Sequence, residues 1–169
     1  MTRMINSCFI ALLLLALASG PVVADLPPEF DDGWHTWQVE ETDASSAMCC
    51  FSWKHGKVSQ NGCNLDGRNM SFSKDGDCAA AAGKLQVYAQ LKSGRPVRIH
   101  VLSSNCPVSS TTQVKDLGQA TAADNLAWFR GVIENRELGR KAREEALFAL
   151  VLTGTDAAYD YLDRLLSHR

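Results

Sequence analysis

Cysteine and histidine are the residues of this sequence whose types could carry chemistry. The chain has 169 residues, among them six cysteines and four histidines. One cysteine, Cys8, lies in an apolar N-terminal segment. The other five follow in the next part of the chain: Cys49, Cys50, Cys63, Cys78 and Cys106. Such residues serve three kinds of chemistry, namely disulfide bonding, metal ligation and thiol redox reactions.

Disulfide bonding is the favoured interpretation of these five cysteines. Cys49 and Cys50 are adjacent in a predicted strand, so their side chains point to opposite faces and need different partners. A Cys50–Cys63 bridge would close a turn-like segment and stabilise the fold by about 3 kcal/mol. Cys106 could pair with Cys49 or Cys78, so the connectivity stays open. Because five is odd, one thiol stays unpaired unless the protein dimerises.

Metal ligation and thiol redox chemistry have weaker support. His55 is near Cys50 and Cys63 in the chain, but no C-x-x-C or paired-histidine spacing is present. A redox thiol also needs a feature that lowers its pKa, such as a helix N-terminus, and none is predicted beside these cysteines. The sequence therefore predicts no metal and no cofactor, with zinc as a third possibility that elemental analysis would decide.

No catalytic constellation is recognisable. The four histidines stand at no triad spacing: His35, His55, His100 and His168. The run from Ser103 to Thr112 is rich in serine and threonine and predicts a linker, and no G-x-S-x-G motif occurs. His100 shares the polar side of a predicted strand with Arg98, so we expect it to be solvated.

The N-terminus predicts export. Residues Met1 to Ala24 combine a basic Arg3, an apolar run from Phe9 to Ala18 and small residues before Asp25, which is the pattern of a signal peptide. The apolar run is shorter than the roughly 20 residues of a membrane-spanning helix. We therefore expect a periplasmic or secreted protein with no membrane span after signal removal, in a compartment that permits disulfides. The net charge of −2 argues against nucleic-acid binding through bulk charge.

Composition divides the mature chain into three parts. Residues 25–43 form an acidic lead-in with seven acidic and no basic residues, in which Trp34 and Trp37 are expected to attach it to the rest. Residues 44–115 hold all five remaining cysteines and carry a net +6. Residues 116–169 lack cysteine and proline and show helical periodicity. The predicted fold class is α+β, in which a small disulfide-stapled antiparallel β unit precedes a three-helix tail.

The β unit contains a predicted hairpin. Residues 84–91 and 97–102 both alternate apolar and polar side chains with a period of two, and residues 48–53 form a further strand candidate. The apolar positions of both hairpin strands are odd-numbered. If the two apolar sets are to lie on one face, the residue numbers of two facing partners must sum to an even number. A three-residue loop, Lys92–Gly94, satisfies this condition and pairs Ala89 with Val97.

The tail predicts three helices. The first begins after Thr121, with Asp124 completing a capping box, and buries a stripe of Ala122, Leu126, Phe129 and Ile133. Trp128 is expected to pack on the β unit. The second helix spans about residues 138–152, and Gly154 ends it in a left-handed conformation before Thr155 caps the third. The third should bury Ala158, Tyr161, Leu162 and Leu165. Because residues 146–152 are apolar all round, we expect them to be covered on more than one side.

Residues 141–167 resemble one HEAT repeat, a pair of antiparallel helices with small residues in the first and leucines in the second. The matching residues are Ala146, Ala149, Leu150, Gly154, Ala157, Leu162, Leu165 and Leu166. The arrangement is also similar to bacterial exported proteins that place a cysteine-containing β part before a HEAT-like tail. HEAT arrays stack at least about three repeats, whereas one clear copy is present here. The resemblance implies that the tail binds other proteins.

These observations favour a non-catalytic, exported protein-interaction module whose partner is another envelope protein. A thiol-active envelope protein that uses the unpaired cysteine is the alternative. A basic cluster is the possible partner surface: Arg136, Arg140, Lys141 and Arg143. The other interpretation of this cluster is a solvated helix face with Arg140–Glu144 and Lys141–Glu145 pairs.

Overall fold

The computed structural model describes residues 30–40, 49–54, 57–60, 63–67, 72–73, 84–104 and 106–167. Within these residues the chain is α+β. The strands are β1 (Gly33–Glu40), β2 (Cys49–Lys54), β3 (Lys57–Gln60), β4 (Cys63–Asn64), β5 (Phe72–Ser73), β6 (Lys84–Lys92), β7 (Arg95–Ser103), β8 (Val108–Ser109) and β9 (Val114–Gln119). The helices are α1 (Ala122–Glu134), α2 (Arg140–Leu152) and α3 (Asp156–Ser167). The predicted signal peptide lies outside the described residues.

The main sheet has the strand order β7-β6-β1-β9. Strand β1 pairs antiparallel with β6 and parallel with β9, so it lies inside the sheet. Sequence reasoning placed this segment in an extended lead-in and missed its interior position. Strands β3, β2 and β5 form a second sheet, and β4 pairs with β8 in a third.

The β6–β7 hairpin is confirmed, but its predicted loop is wrong. The turn has two residues, Ser93 and Gly94, both at positive φ (51° and 68°), and Lys92 pairs with Arg95. A register shift follows between Gln90 and Leu91, beyond which Ala89 pairs with Ile99. Together, the two-residue turn and the bulge place the apolar positions of both strands on one face, as predicted. The partner of each β6 residue beyond the bulge lies two positions further along β7 than predicted.

One face of the main sheet carries the core of the molecule. Odd-numbered side chains of the three longest strands are buried on it: Trp37, Val39, Leu85, Val87, Ala89, Leu91, Ile99 and Val101. The helices cover this face and bury Phe129, Ala146 and Leu150 in the same cluster. The sheet and the helices therefore share one core, and α2 packs mainly against α1 and β7.

The opposite face of the main sheet is also covered. Cys63, Leu102 and Cys106 form a small buried cluster there, with Tyr88 and Val108 packed against it. The backbone N–H of Cys63 donates to the carbonyl of Pro107 at 2.8 Å, and the N–H of Leu65 donates to Ser109. We call residues 63–67 and 106–111 the second layer. It covers a face of the sheet that the alternating polar residues predicted to be exposed to water.

Both predicted helix caps are confirmed. The Asp124 N–H donates to Thr121 Oγ1 at 3.0 Å, and the Ala158 N–H donates to Thr155 Oγ1 at 3.2 Å. The buried stripe of α1 differs from the prediction and consists of Asn125, Phe129 and Val132. Asn125 is buried because its Oδ1 accepts a hydrogen bond from Trp37 Nε1 at 2.9 Å, which a pattern of apolar residues cannot reveal.

Candidate functional site

Two helices carry the exposed large apolar side chains that the structure describes. Among the residues whose side-chain burial the structure describes, which leaves out strands β2, β3 and β5, the large hydrophobic side chains that remain exposed are Phe148 (54%), Val151 (39%), Tyr159 (48%) and Leu166 (68%). The first two belong to α2 and the last two to α3. We call these four residues the outer face of the helical hairpin. Such a concentration on one part of a surface is typical of a site that binds another molecule.

Helical geometry aligns these residues. Phe148 and Val151 are three positions apart and Tyr159 and Leu166 are seven apart, so each pair lies on one side of its helix. The two helices meet at Gly154, whose φ of 61° allows the sharp corner. The Tyr159 hydroxyl lies 4.0 Å from the point where a Cβ on Gly154 would stand. The Gly154 N–H donates to the carbonyl of Val151 at 3.2 Å, so Val151 and Tyr159 flank the same corner.

The outer face contradicts one expectation from the sequence. The apolar segment 146–152 was expected to be covered on more than one side, yet Phe148 and Val151 are exposed. Ala146, Ala149 and Leu150 are buried, because α1 and β7 cover that side of α2.

Acidic residues accompany the apolar ones on α3. Asp156, Tyr159, Asp163 and Leu166 are spaced three, four and three positions apart, so they form a single row along the helix. All four are exposed. Among the described residues the ion pairs involve none of Asp156, Asp160 and Asp163. This row alternates negative and apolar side chains without internal neutralisation.

The basic cluster is distributed over different surroundings. Arg140 pairs with Glu144 at 3.5 Å and Lys141 with Glu145 at 3.6 Å, which confirms the two predicted pairs. Arg136 is exposed in the segment before α2. Arg143 is half-buried, and its Nε is a buried atom with no hydrogen-bond partner among the described residues. Arg136, Arg140 and Lys141 are thus exposed, whereas Arg143 is half-buried.

The cysteines fall into two groups. Cys63 and Cys106 are buried together beside Leu102. Cys49 and Cys50 lie in β2, as predicted, where they pair with Ser73 and Phe72. Cys78 lies outside the described residues.

The covered face of the main sheet holds a histidine that was predicted to be solvated, and that prediction is wrong. His100 stacks on Trp34 with ring centroids 5.8 Å apart. Its Nε2 is buried with no hydrogen-bond partner among the described residues. Burial, followed by the charge of Arg98, lowers the pKa of His100 from 6.5 to about 4. The prediction failed because the second layer covers this face of the sheet. The alternation of residues within one strand carries no information about such a covering layer.

Asp66 fastens that layer to the sheet. One carboxylate oxygen accepts from Trp34 Nε1 at 2.9 Å. The other accepts from the Thr111 N–H at 2.6 Å, from the Thr111 hydroxyl at 2.9 Å and from the Ser110 hydroxyl at 3.1 Å. These donors, led by the Thr111 N–H, lower the pKa of Asp66 to about 2. No motif in the sequence marked this residue, because its partners are distant in the chain.

In the described part of the chain, no three side chains of His, Cys, Asp or Glu come close enough together to hold a metal ion. His55 and His168 lie outside the described residues. None of the described helices is long and apolar enough to cross a bilayer.

Comparison with known proteins gives no relative. No protein-family model matches the chain, and neither a curated protein nor a solved structure matches it significantly.

Proposed function

We propose that this protein is a non-catalytic, exported interaction module that binds a partner protein through the outer face of the helical hairpin. The observation that carries the proposal is that the exposed large apolar side chains, among the residues whose side-chain burial the structure describes, all belong to α2 and α3. Isolated apolar side chains are normal on protein surfaces, whereas several on two connected helices offer apolar area that a partner can bury.

The chemistry of the partner follows from the row on α3. Its Tyr159 and Leu166 offer apolar contacts, and Asp156 and Asp163 flank them with negative charge. A complementary segment carries apolar anchor side chains beside lysine or arginine. Apolar residues at the centre would supply most of the affinity, and the opposite charges would speed association and select the partner.

The HEAT resemblance supports the same surface. We propose that α2 and α3 form a HEAT-like hairpin whose outer face is left open, where a following repeat would stack in an array. The left-handed Gly154 and the buried Ala146, Ala149 and Leu150 agree with the family pattern.

A disulfide between Cys63 and Cys106 is the proposed staple of the β unit. The burial of both side chains beside Leu102 in one cluster supports the proposal. Export through the signal peptide would place the bond in an oxidising compartment. The thiol-active alternative then depends on Cys49, Cys50 or Cys78. Mass spectrometry after alkylation without reduction should find residues 63 and 106 linked, and two alkylated residues there would refute the staple.

Capture from envelope extract tests the docking surface with point variants, since a deletion of the tail would open the shared core. Phe148→Ser and Leu166→Ser should fold normally and lose a partner that the wild-type chain retains. Arg95→Ser, on the exposed turn of the hairpin, is the control and should keep it. The bound segment of the partner should contain apolar and basic residues. Equal capture by all variants would overturn the proposal, as would a partner that binds through an acidic segment.

A further inference from the structure

The exposed side of α3 has a regular spacing that the chain's own core does not use. The row on α3 advances by three, four and three positions through Asp156, Tyr159, Asp163 and Leu166. This spacing is that of the contact positions of a helix that packs lengthwise against another helix. The buried side chains of α3, Ala158 and Tyr161, occupy other positions of the heptad. The row is therefore open to a partner.

Helix α2 exposes a second row with the same spacing. Its members are all exposed and consist of Lys141, Glu144, Phe148 and Val151. The charges of this row are already paired within α2, because Lys141 contacts Glu145 and Glu144 contacts Arg140. The row on α2 therefore offers mainly its two apolar side chains. The aspartates on α3, in contrast, form no ion pair among the described residues.

The length of the row on α3 favours a helical partner segment. Asp156 and Leu166 are ten positions apart, which is about 15 Å along a helix. An extended segment would cross this distance with about five residues. Because its successive side chains point to opposite sides, only two or three of them could contact the row. A helix of about three turns instead presents one side chain to each residue of the row.

The order of residue types in the row predicts the sequence of that helix. Aspartate alternates with an apolar residue, so a complementary row alternates a basic residue with an apolar one. A lysine or arginine opposite each aspartate is attracted, whereas an acidic residue there is repelled. We propose that the partner segment is an amphipathic helix whose contact row reads basic, apolar, basic, apolar at intervals of three, four and three positions. This inference rests on the function proposed above and adds the conformation and the sequence pattern of the partner.

The three helices of the chain itself do not carry this pattern. The pattern requires two basic residues seven positions apart on one helix. The basic residues of the helices are Arg130 in α1, Arg140, Lys141 and Arg143 in α2, and Arg164 in α3. No two of them on the same helix are seven positions apart, so α1, α2 and α3 of a second copy do not supply the complementary row. This favours a different protein as the partner.

An NMR titration of the full chain, labelled with nitrogen-15, tests the pattern with synthetic peptides. The probe peptide is an alanine-based helix that carries lysine, leucine, lysine and leucine at intervals of three, four and three positions. It should shift the amide signals of residues 144–151 and 156–166 in a saturable way, with a dissociation constant of about 1 mM for four contacting side chains. A peptide of the same composition, with its lysines and leucines at intervals of two, should bind about 10-fold more weakly, because a helix then spreads them over different sides. Equal binding of the two peptides, or no saturable shift with the probe peptide, would overturn the proposal.

A charge exchange tests the contact with the aspartates. Asp163→Lys should weaken the binding of the probe peptide about 5- to 10-fold and should favour a peptide with glutamate in place of lysine. Asp31→Lys changes the net charge by the same amount just before β1, and it should leave both affinities unchanged. If the two variants have the same effect, the attraction is one of overall charge and the proposal is wrong.

The results separate this inference from the proposed function. A partner that is captured from envelope extract through Phe148 and Leu166, together with no binding of the probe peptide, would refute the helical pattern and leave the docking function intact. Loss of both would refute the function as well. Sedimentation of the wild-type chain as a dimer that Phe148→Ser abolishes would contradict the assignment of the partner to a different protein.

Discussion

At the scale of single residues, the Asp66 carboxylate joins three parts of the chain. It binds the indole of Trp34 in β1, and Ser110 and Thr111 in the segment between β8 and β9. Hydrogen bonds to an ionised group are stronger than those between neutral groups. The residue therefore orients the second layer against the sheet.

Asp66→Ala should lower the free energy of unfolding by about 1–3 kcal/mol, because it leaves the buried Trp34 N–H without an acceptor. Asp116→Ala is the matched control. Asp116 accepts one N–H, from Gly118 in its own turn, so its loss should cost about 0.5 kcal/mol or less. Urea unfolding measures both, and equal midpoints for the two variants would contradict the role of Asp66.

His100 should make stability depend on pH. Because its pKa is lowered from 6.5 to about 4 in the fold, the unfolded chain binds the proton more readily than the folded chain. The free energy of unfolding should therefore be highest above pH 6.5 and should decrease by about 3 kcal/mol as the pH falls to about 4. His100→Phe keeps a ring against Trp34 and should flatten this window. A wild-type profile that is already flat from pH 6.5 to 4 would show that His100 is solvated.

At the scale of elements, the β6–β7 turn shows what alternation can and cannot predict. The parity of apolar positions required Ala89 and Ile99 to share a face with Val87 and Val101, and they do. The loop length could not be obtained in this way, because a bulge changes the register by one residue without changing the pattern. Ser93 at a φ of 51° is the residue that completes the two-residue turn.

Ser93→Asn should stabilise the protein by about 0.5–1 kcal/mol, because asparagine adopts the left-handed conformation more readily than serine and Asn-Gly is the preferred sequence for this turn. Ser93→Val should destabilise it, since a β-branched residue is strained at positive φ. Urea unfolding midpoints of the two variants should move in opposite directions. A shift of both midpoints in the same direction would indicate a different turn.

At the scale of the whole molecule, the sheet and the helices share one core. Trp37 and Val87 from the sheet belong to the same buried cluster as Phe129 and Leu150 from the helices. The helices, their caps and the hairpin were predictable from local patterns. Strand β1 was not, because Trp34 is buried on one face, where it stacks on His100, while Trp37 and Val39 are buried on the other, and a strand covered on both faces loses its alternation.

A shared core predicts a single unfolding transition. Tryptophan fluorescence and far-ultraviolet circular dichroism should give coincident midpoints in urea. Phe129→Ala should lower both midpoints together, with a loss of about 3–5 kcal/mol for a large aromatic residue in the core. A helical signal that is lost before the fluorescence changes would show that the tail is a separate unit.

The outer face of the helical hairpin was not predictable as a surface, since the same apolar letters also predict burial. Its exposure depends on which sides of α2 are covered by α1 and β7, and this is a property of the tertiary structure. Substitutions such as Phe148→Ser should change the free energy of unfolding by about 0.5 kcal/mol or less, which allows binding to be tested without loss of the fold.

Site-specific photo-cross-linking tests the docking surface most directly. A photoreactive phenylalanine derivative is placed at position 148, at position 159 or, as a control, at the exposed position 112. Each full chain is expressed in the native host cells. Positions 148 and 159 should yield an adduct with the same partner, and Asp163→Asn should weaken both adducts by reducing the charge of the row on α3. Position 112 should not yield this adduct. An adduct of equal strength at position 112, or no adduct at positions 148 and 159, would contradict the assignment of the hairpin's outer face as the docking surface.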